Sequence, residues 1–86
     1  MSTPAPRISQ PSAQAGELLR AWRSARRLSQ LDLSLEANVS ARHLSYVETG
    51  KSQPSREMVA RLADALGMPL RERNALMIAA GYAPEY

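Results

Sequence analysis

Two short helical segments, separated by a link of only three residues, constrain the fold of this chain more than any other feature. The link is Asn38-Val39-Ser40, and the small residues Ser34 and Ala37 precede it. Bulky side chains at those two positions would keep the next helix at a distance, whereas Val39 can fill the gap between the helices. A link this short favours a near-perpendicular helix pair in which the second helix keeps one face exposed.

Helix start and stop signals divide the rest of the chain. Ser29, Ser40 and Ser55 stand where N-caps are expected, and Asp32 completes a short capping box with Ser29. Glycine or asparagine, which tolerate the left-handed conformation of a helix terminus, follows four of the apolar-periodic segments. The signals predict helices over about 13–26, 29–37, 40–48, 56–66 and 69–80, with Pro69 in the first turn of the last.

The apolar residues within these segments recur at helical spacing, and no segment alternates with a period of two. The predicted inward-facing residues are Leu18, Leu19, Trp22, Ala25, Leu33, Ala37, Leu44, Val47, Val59, Leu62, Ala63 and Leu66. We therefore expect an all-α domain of five helices over residues 14–82. A flexible, proline-containing arm over residues 1–13 and a short tail over 83–86 complete the predicted organisation.

Charge is distributed unevenly along the chain. Residues 1–27 hold five arginines against one acidic residue, a balance of +4, whereas residues 28–86 hold six basic and seven acidic residues. Ten of the eleven basic residues are arginine, which binds phosphate and guanine in a bidentate manner. This distribution is compatible with a nucleic-acid partner, although a basic face is also common on ordinary solvated surfaces.

Several classes of function lack any support in the sequence. The chain has no cysteine and a single histidine, His43, so neither a disulfide framework nor a metal site is expected. We find no paired nucleophile and base, no glycine-rich phosphate loop and no small-molecule site, and we predict no enzyme activity and no cofactor. No secretory signal or membrane segment is predicted, and we expect the protein to act in the cytoplasm.

Residues 15–80 resemble the Cro/phage-repressor type of helix-turn-helix regulator, the Xre family. The matching segments are Leu-Ser-Gln at 28–30, Leu33, Val39-Ser40, Leu44, Val47-Glu48, Gly50-Lys51, Pro54-Ser55 and the run from Leu62 to Gly67. The resemblance implies a five-helix domain that binds double-stranded DNA as a dimer, with Gln30 at the phosphate backbone and the first half of helix three against bases. It also implies an ion pair between Arg23 and Glu48.

From the resemblance and the predicted outward face of helix three, we expect a set of DNA contacts. The predicted residues are Ser29, Gln30, Ser40, Ala41, Arg42, Ser45, Tyr46, Thr49 and Lys51. Arg42 is the best candidate for reading guanine, since its guanidinium matches the O6 and N7 acceptors, and Ala41 suits a thymine methyl group. Lys51 and Thr49 lie at the far end of the helix, where backbone phosphates are expected.

The chain departs from the family pattern at four positions. Arg27 and Asn38 replace glycines, and Leu31 and Leu35 replace polar residues on the outside of helix two. The C-terminal residues 76–86 resemble the join to the ligand-binding domain of MmyB-like regulators, so the chain is either a short regulator or one piece of a longer one. An antitoxin of this family, or a protein-interaction adaptor with the same fold, remains an alternative to a repressor.

Helix five is the predicted dimer surface. Leu76, Met77 and Ile78 are consecutive and point about 100° apart, so one inward face cannot bury all three. We therefore expect a homodimer through helix five, with Leu31 and Leu35 on helix two as the second candidate surface. Ile8 of the arm could instead cover either patch within one chain.

Overall fold

The computed structural model describes residues 11–85, with side-chain environments from Ala13 to Glu85. The helices are α1 Pro11–Ala25, α2 Gln30–Ala37, α3 Ala41–Glu48, α4 Arg56–Ala65 and α5 Leu70–Ala79, and no strand occurs within residues 11–85. The all-α, five-helix prediction is confirmed, with each boundary within two residues of its predicted position. Because α1 begins at Pro11, residues 11–13 of the predicted arm are helical, and residues 1–10 lie outside the described residues.

Side-chain caps explain where α2, α3 and α4 begin. Ser29 accepts a hydrogen bond from the Asp32 N–H at 3.0 Å, and the Asp32 carboxylate accepts the Ser29 N–H at 3.2 Å, which completes the predicted capping box. Ser40 and Ser55 cap α3 and α4 through their hydroxyls alone, which accept the N–H groups of His43 and Met58. Pro69 is the N-cap of α5 and not part of its first turn as predicted, since its ψ of 163° is extended.

The helices enclose one core, to which all five contribute. Its fully buried large side chains are Leu19, Leu33, Leu44, Val47, Val59, Leu62, Leu66, Leu76 and Met77. Helix α1 packs against α3 and α5, α2 packs against α3 and α4, and α4 packs against α5. The α2–α3 pair is therefore held by α1, which packs on α3, and by α4, which packs on α2.

The predicted burial is wrong in part on α1, whereas the prediction that α5 cannot bury all three consecutive apolar residues is confirmed. On α1, Ala25 is exposed and Trp22 is only half-buried, because Ala25 lies about 120° from the buried Leu19 around the helix axis. On α5, both Leu76 and Met77 are buried, since α5 is covered by α1 on one side and by α4 on another. Only Ile78 of the consecutive trio remains exposed, at 59%.

The segment that follows α5 packs back onto the domain. The Tyr82 hydroxyl donates to the carbonyl oxygen of Pro54 at 2.8 Å, and the Gln53 side-chain amide donates to the Ala80 carbonyl at 3.1 Å. The donor Gln53 and the acceptor Pro54 both lie in the loop between α3 and α4. The end of α5 is thus attached to the loop that leaves α3.

Candidate nucleic-acid interface

Helix α3 divides into a buried face and an exposed face. Leu44 and Val47 are completely buried, as predicted, whereas Arg42 and Tyr46 are exposed. Ala41 and Ser45 are half-buried at the border between the two faces. The helix therefore packs on the core through its apolar residues Leu44 and Val47 and leaves Arg42 and Tyr46 accessible to a partner.

Arg42 and Tyr46 interact with each other along the exposed face. They are four residues apart, and the Arg42 Nε donates to the Tyr46 hydroxyl at 3.3 Å while the guanidinium carbon lies 5.7 Å from the ring centroid. Contacts of this kind are expected between residues at i and i+4 of a helix. Both terminal nitrogens of Arg42 remain without a hydrogen-bond partner among residues 11–85. Together, these two nitrogens can make a bidentate contact.

A buried carboxylate fixes the C-terminal end of α3. Glu48 is only 2% exposed, and its two oxygens accept the Arg23 Nε at 2.7 Å and the Arg23 Nη2 at 2.9 Å. Arg23 also donates its Nη1 to the Leu28 carbonyl at 2.9 Å. The predicted Arg23–Glu48 pair is confirmed, and it joins α1, the turn after α1 and α3 at one point.

The Glu48 carboxylate raises the pKa of Arg23 above its ordinary value, mainly by accepting its hydrogen bonds and also by its charge, against the opposing effect of burial. A guanidinium is already protonated at every physiological pH, so Arg23 is a permanent cation. Because one charge of each sign meets in this pair, the pair adds no net charge to the surface around α3.

Gln30 belongs to the same network. Its side-chain amide donates to Glu48 Oε1 at 3.0 Å, a contact that the sequence pattern does not predict. Gln30 lies in the first turn of α2, so this hydrogen bond ties the N-terminal end of α2 to the C-terminal end of α3. A second amide N–H and the amide oxygen of Gln30 remain for another partner.

The backbone of α1 passes very close to the backbone at the C-terminal end of α3. A Cβ atom built on Gly16 would lie 2.5 Å from the Val47 carbonyl oxygen and 2.6 Å from that of Glu48. Arg20 donates to the same Glu48 carbonyl at 2.9 Å. No residue larger than glycine fits at position 16 without moving one of these helices, a constraint that the helical pattern alone does not reveal.

The remaining predicted residues lie around the two ends of α3. Ser29 and Ser40 use their hydroxyls as N-caps and are exposed. The Thr49 hydroxyl donates to backbone carbonyls of the last turn, to that of Ser45 at 3.0 Å, and Lys51 is exposed in the following loop. The predicted residues therefore lie at the N-terminal end of α2, along α3 and just beyond its end, and Gln30 is partly engaged by Glu48.

His43 lies on the border of this surface. Its Nε2 is 3.3 Å from the Ser52 hydroxyl in the loop after α3. Within the described part of the chain, no group of three or more metal-binding side chains is close enough to hold an ion, and no helix is long and apolar enough to cross a membrane.

Two short helices, α2 and α3, that are joined by a tight turn and pack against each other define a helix-turn-helix. Residues 14–76 match the family described as "Helix-turn-helix domain". The chain belongs to this family, within the Cro/phage-repressor type of DNA-binding transcription regulators that its sequence resembles; this is a family of regulators and not of enzymes.

Known proteins with similar sequences carry the same description. An uncharacterised HTH-type transcriptional regulator of Mycobacterium bovis is 36% identical over 66 residues, which are 77% of this chain and 26% of that protein. Regulators of two Mycobacterium tuberculosis strains match to the same extent. The chain therefore spans about a quarter of the length of these relatives.

Two solved structures share the fold. The restriction-modification controller protein C.AhdI from Aeromonas hydrophila is 31% identical with a TM-score of 0.68, over 72% of this chain and 94% of that one. The clp gene regulator ClgR from C. glutamicum is 26% identical with a TM-score of 0.73, over 86% of this chain and 92% of that one.

Proposed function

We propose that this chain represses transcription by occupying a specific double-stranded DNA site, with α3 in the major groove. The observation that carries the proposal is the division of α3 into a core-bound face and an exposed face headed by Arg42 and Tyr46. The Glu48 network holds the other end of the helix against α1 and α2. A helix presented in this way matches the geometry with which helix-turn-helix proteins dock on DNA.

Arg42 is the proposed base-reading residue. Its contact with Tyr46 limits the rotamers of a long side chain before DNA arrives, which reduces the entropy lost on binding. Its two free terminal nitrogens match the O6 and N7 acceptors of a guanine. Ala41, Ser45 and Tyr46 border the same surface and complete the proposed base contacts.

The proposed phosphate contacts surround this group. Ser29 and Gln30 lie at the N-terminal end of α2, Ser40 at the start of α3, and Thr49 and Lys51 beyond its end. Contacts to phosphate position a reading helix without selecting a sequence. Binding should consequently weaken steeply as salt increases.

Selection of binding sites from random DNA, followed by fluorescence anisotropy at several salt concentrations, tests the proposal. Arg42→Ala should cost about 1–3 kcal/mol on the selected site and relax the preference at one base pair. Lys51→Ala should weaken selected and random DNA alike. Arg26→Ala is the matched control, because Arg26 is exposed and its guanidinium stacks on Trp22 and lies beside Gly67, after α4.

The proposal fails if the wild-type chain selects no sequence, or if Arg42→Ala weakens selected and random DNA to the same extent. The repressor role has its own test in transcription from a promoter that overlaps the selected site. Wild-type protein should lower transcription and Arg42→Ala should restore it, whereas increased transcription would indicate an activator.

We further propose that the chain binds DNA as a homodimer through α5. Leu70 and Ile78 are 48% and 59% exposed, large apolar residues on the outward side of a helix whose other faces are buried. Met77, which the sequence placed among the candidates, is buried in the core and takes no part. Two-fold symmetry would place two α3 helices about one turn of DNA apart on a palindromic site.

Sedimentation of the wild type and of Ile78→Glu tests the dimer, with Leu31→Glu on α2 as the matched control. Leu31 is equally exposed, at 59%, on the second candidate surface. Loss of the dimer in Ile78→Glu alone supports α5, and loss in Leu31→Glu alone supports α2. A monomer at all concentrations, free and on DNA, excludes both.

A further inference from the structure

The turn between α1 and α2 contains an arginine in a conformation that favours glycine. Arg27 has a φ of 57°. The Arg27 N–H bonds to the Ser24 carbonyl at 3.0 Å and the Leu28 N–H to the Arg23 carbonyl at 3.1 Å, a Schellman motif with Arg27 at its left-handed position. Residues with a Cβ atom are disfavoured there by about 1–2 kcal/mol, so glycine would suit the backbone better.

The Arg27 side chain contributes nothing to the fold that would offset this cost. It is exposed, and it forms no hydrogen bond or ion pair within residues 11–85. The neighbouring arginines are all engaged: Arg20 and Arg23 bond to Glu48, and Arg26 stacks on Trp22 at 5.8 Å. Among the described arginines of α1 and its turn, Arg27 alone has a free guanidinium.

The turn that carries Arg27 is fixed beside the proposed DNA surface. The Leu28 carbonyl is bonded to Arg23, which also binds Glu48 at the end of α3. Ser29 and Gln30, two proposed phosphate contacts, follow directly, and two trans peptide bonds place the Arg27 and Ser29 Cα atoms no more than about 7.6 Å apart. Arg27 is therefore a free cation on a rigid turn at the edge of that surface.

We infer that Arg27 contacts a DNA phosphate, and that an arginine occupies this position although glycine would make the turn more stable. The inference rests on the proposed DNA binding and deepens it. An arginine at this position can form two hydrogen bonds to a phosphate and neutralise its charge, which glycine cannot do. The left-handed backbone aims the side chain in one direction, and the Schellman hydrogen bonds hold that direction. Backbone strain at an exposed residue without structural contacts is typical of a functional position.

Three substitutions separate charge from backbone. Arg27→Gly removes both the charge and the strain, Arg27→Gln removes the charge alone, and Arg27→Lys keeps the charge. We expect Arg27→Gly to melt at the same or a higher temperature than the wild type, yet to bind selected and random DNA roughly 3- to 10-fold more weakly at low salt. Arg27→Gln should bind as weakly as Arg27→Gly, and Arg27→Lys should retain most of the affinity.

The salt dependence provides an independent readout. Loss of one phosphate contact should reduce the slope of log K against log salt by about 0.9 per bound protomer, so that the affinity ratio of wild type to Arg27→Gln shrinks by about 3-fold per bound protomer between 50 and 200 mM salt. Arg26→Gln, an equal charge change at the neighbouring arginine, whose guanidinium stacks on Trp22 and lies beside Gly67, should leave the slope unaltered. The inference is overturned if Arg27→Gln matches the wild type in affinity and slope, or if only Arg27→Gly binds more weakly. Failure of the wild type to bind DNA with any salt dependence would instead overturn the proposed function.

Discussion

Glu48→Gln tests how α3 is held in position. The substitution preserves the size and shape of the side chain but replaces one carboxylate oxygen by an NH2 group and removes the charge. Glu48 accepts three hydrogen bonds in the native network, from the Nε and Nη2 of Arg23 and from Gln30. The amide keeps one acceptor oxygen and turns an N–H group toward a nitrogen of Arg23, which leaves a guanidinium without its counter-ion.

The structure gives the size of the expected effect. A hydrogen bond to a charged group contributes about 1.5–3 kcal/mol, and breaking one side of a buried ion pair costs about 3–5 kcal/mol. Arg23 retains 16% exposure and its bond to the Leu28 carbonyl, so solvent can partly compensate for the lost partner. We expect the free energy of unfolding to fall by about 3 kcal/mol, or Tm by roughly 12–24 °C for a domain of this size.

Urea denaturation followed by circular dichroism measures the loss, with Glu57→Gln as the matched control. Glu57 pairs with Arg61 at 2.8 Å on the surface of α4, and both side chains are well exposed. Its substitution should cost less than about 0.5 kcal/mol. If Glu48→Gln is too unstable to measure, Arg23→Lys keeps the charge but loses the paired geometry and should show an intermediate loss. Equal stability of Glu48→Gln and Glu57→Gln would refute the reasoning.

Three further predictions concern the scaffold. Gly16→Ala should destabilise the domain by about 3 kcal/mol in urea denaturation, because the new methyl group meets the Val47 carbonyl oxygen. A stability equal to that of the wild type would show that α1 can move away from α3. Asn38→Gly should leave Tm unchanged or raise it slightly, since the residue has a φ of 56°, whereas a lower Tm would reveal a role for the amide. Tyr82→Phe should cost about 1 kcal/mol through loss of the hydrogen bond to Pro54, and the exposed Tyr46→Phe, which costs less, is its control.

Local features of the fold could be predicted because their causes lie a few residues apart. The capping box of Ser29 and Asp32 and the left-handed Asn38 each depend on backbone groups within one helical turn. The inward direction of Leu44 and Val47 follows from their spacing of three residues, which places both side chains on one face of the helix. For these residues the sequence pattern and the structure agree.

Features that depend on the neighbours of a helix could not be predicted in the same way. Met77 is buried because α5 packs on both α1 and α4. The apolar periodicity of α5 does not reveal how many of its faces are covered. The hydrogen bond between Gln30 and Glu48 joins residues 18 positions apart. It depends on how α2 and α3 cross, which the sequence pattern does not specify. Arg27 was visible as a departure from the family pattern, but its free guanidinium was not.

The division of α3 into two faces has a consequence for how such regulators diversify. The residues that set its position, such as Gly16 and Glu48, contact other helices, whereas within residues 11–85 the side chains of Arg42 and Tyr46 form hydrogen bonds only with each other. Substitutions at the exposed positions can accumulate in a gene lineage at little cost in folding. In the proposed binding mode, a duplicated copy of this domain therefore needs only a few changed codons to acquire a new target site, whereas a change of the glycine or the carboxylate beneath them would cost stability.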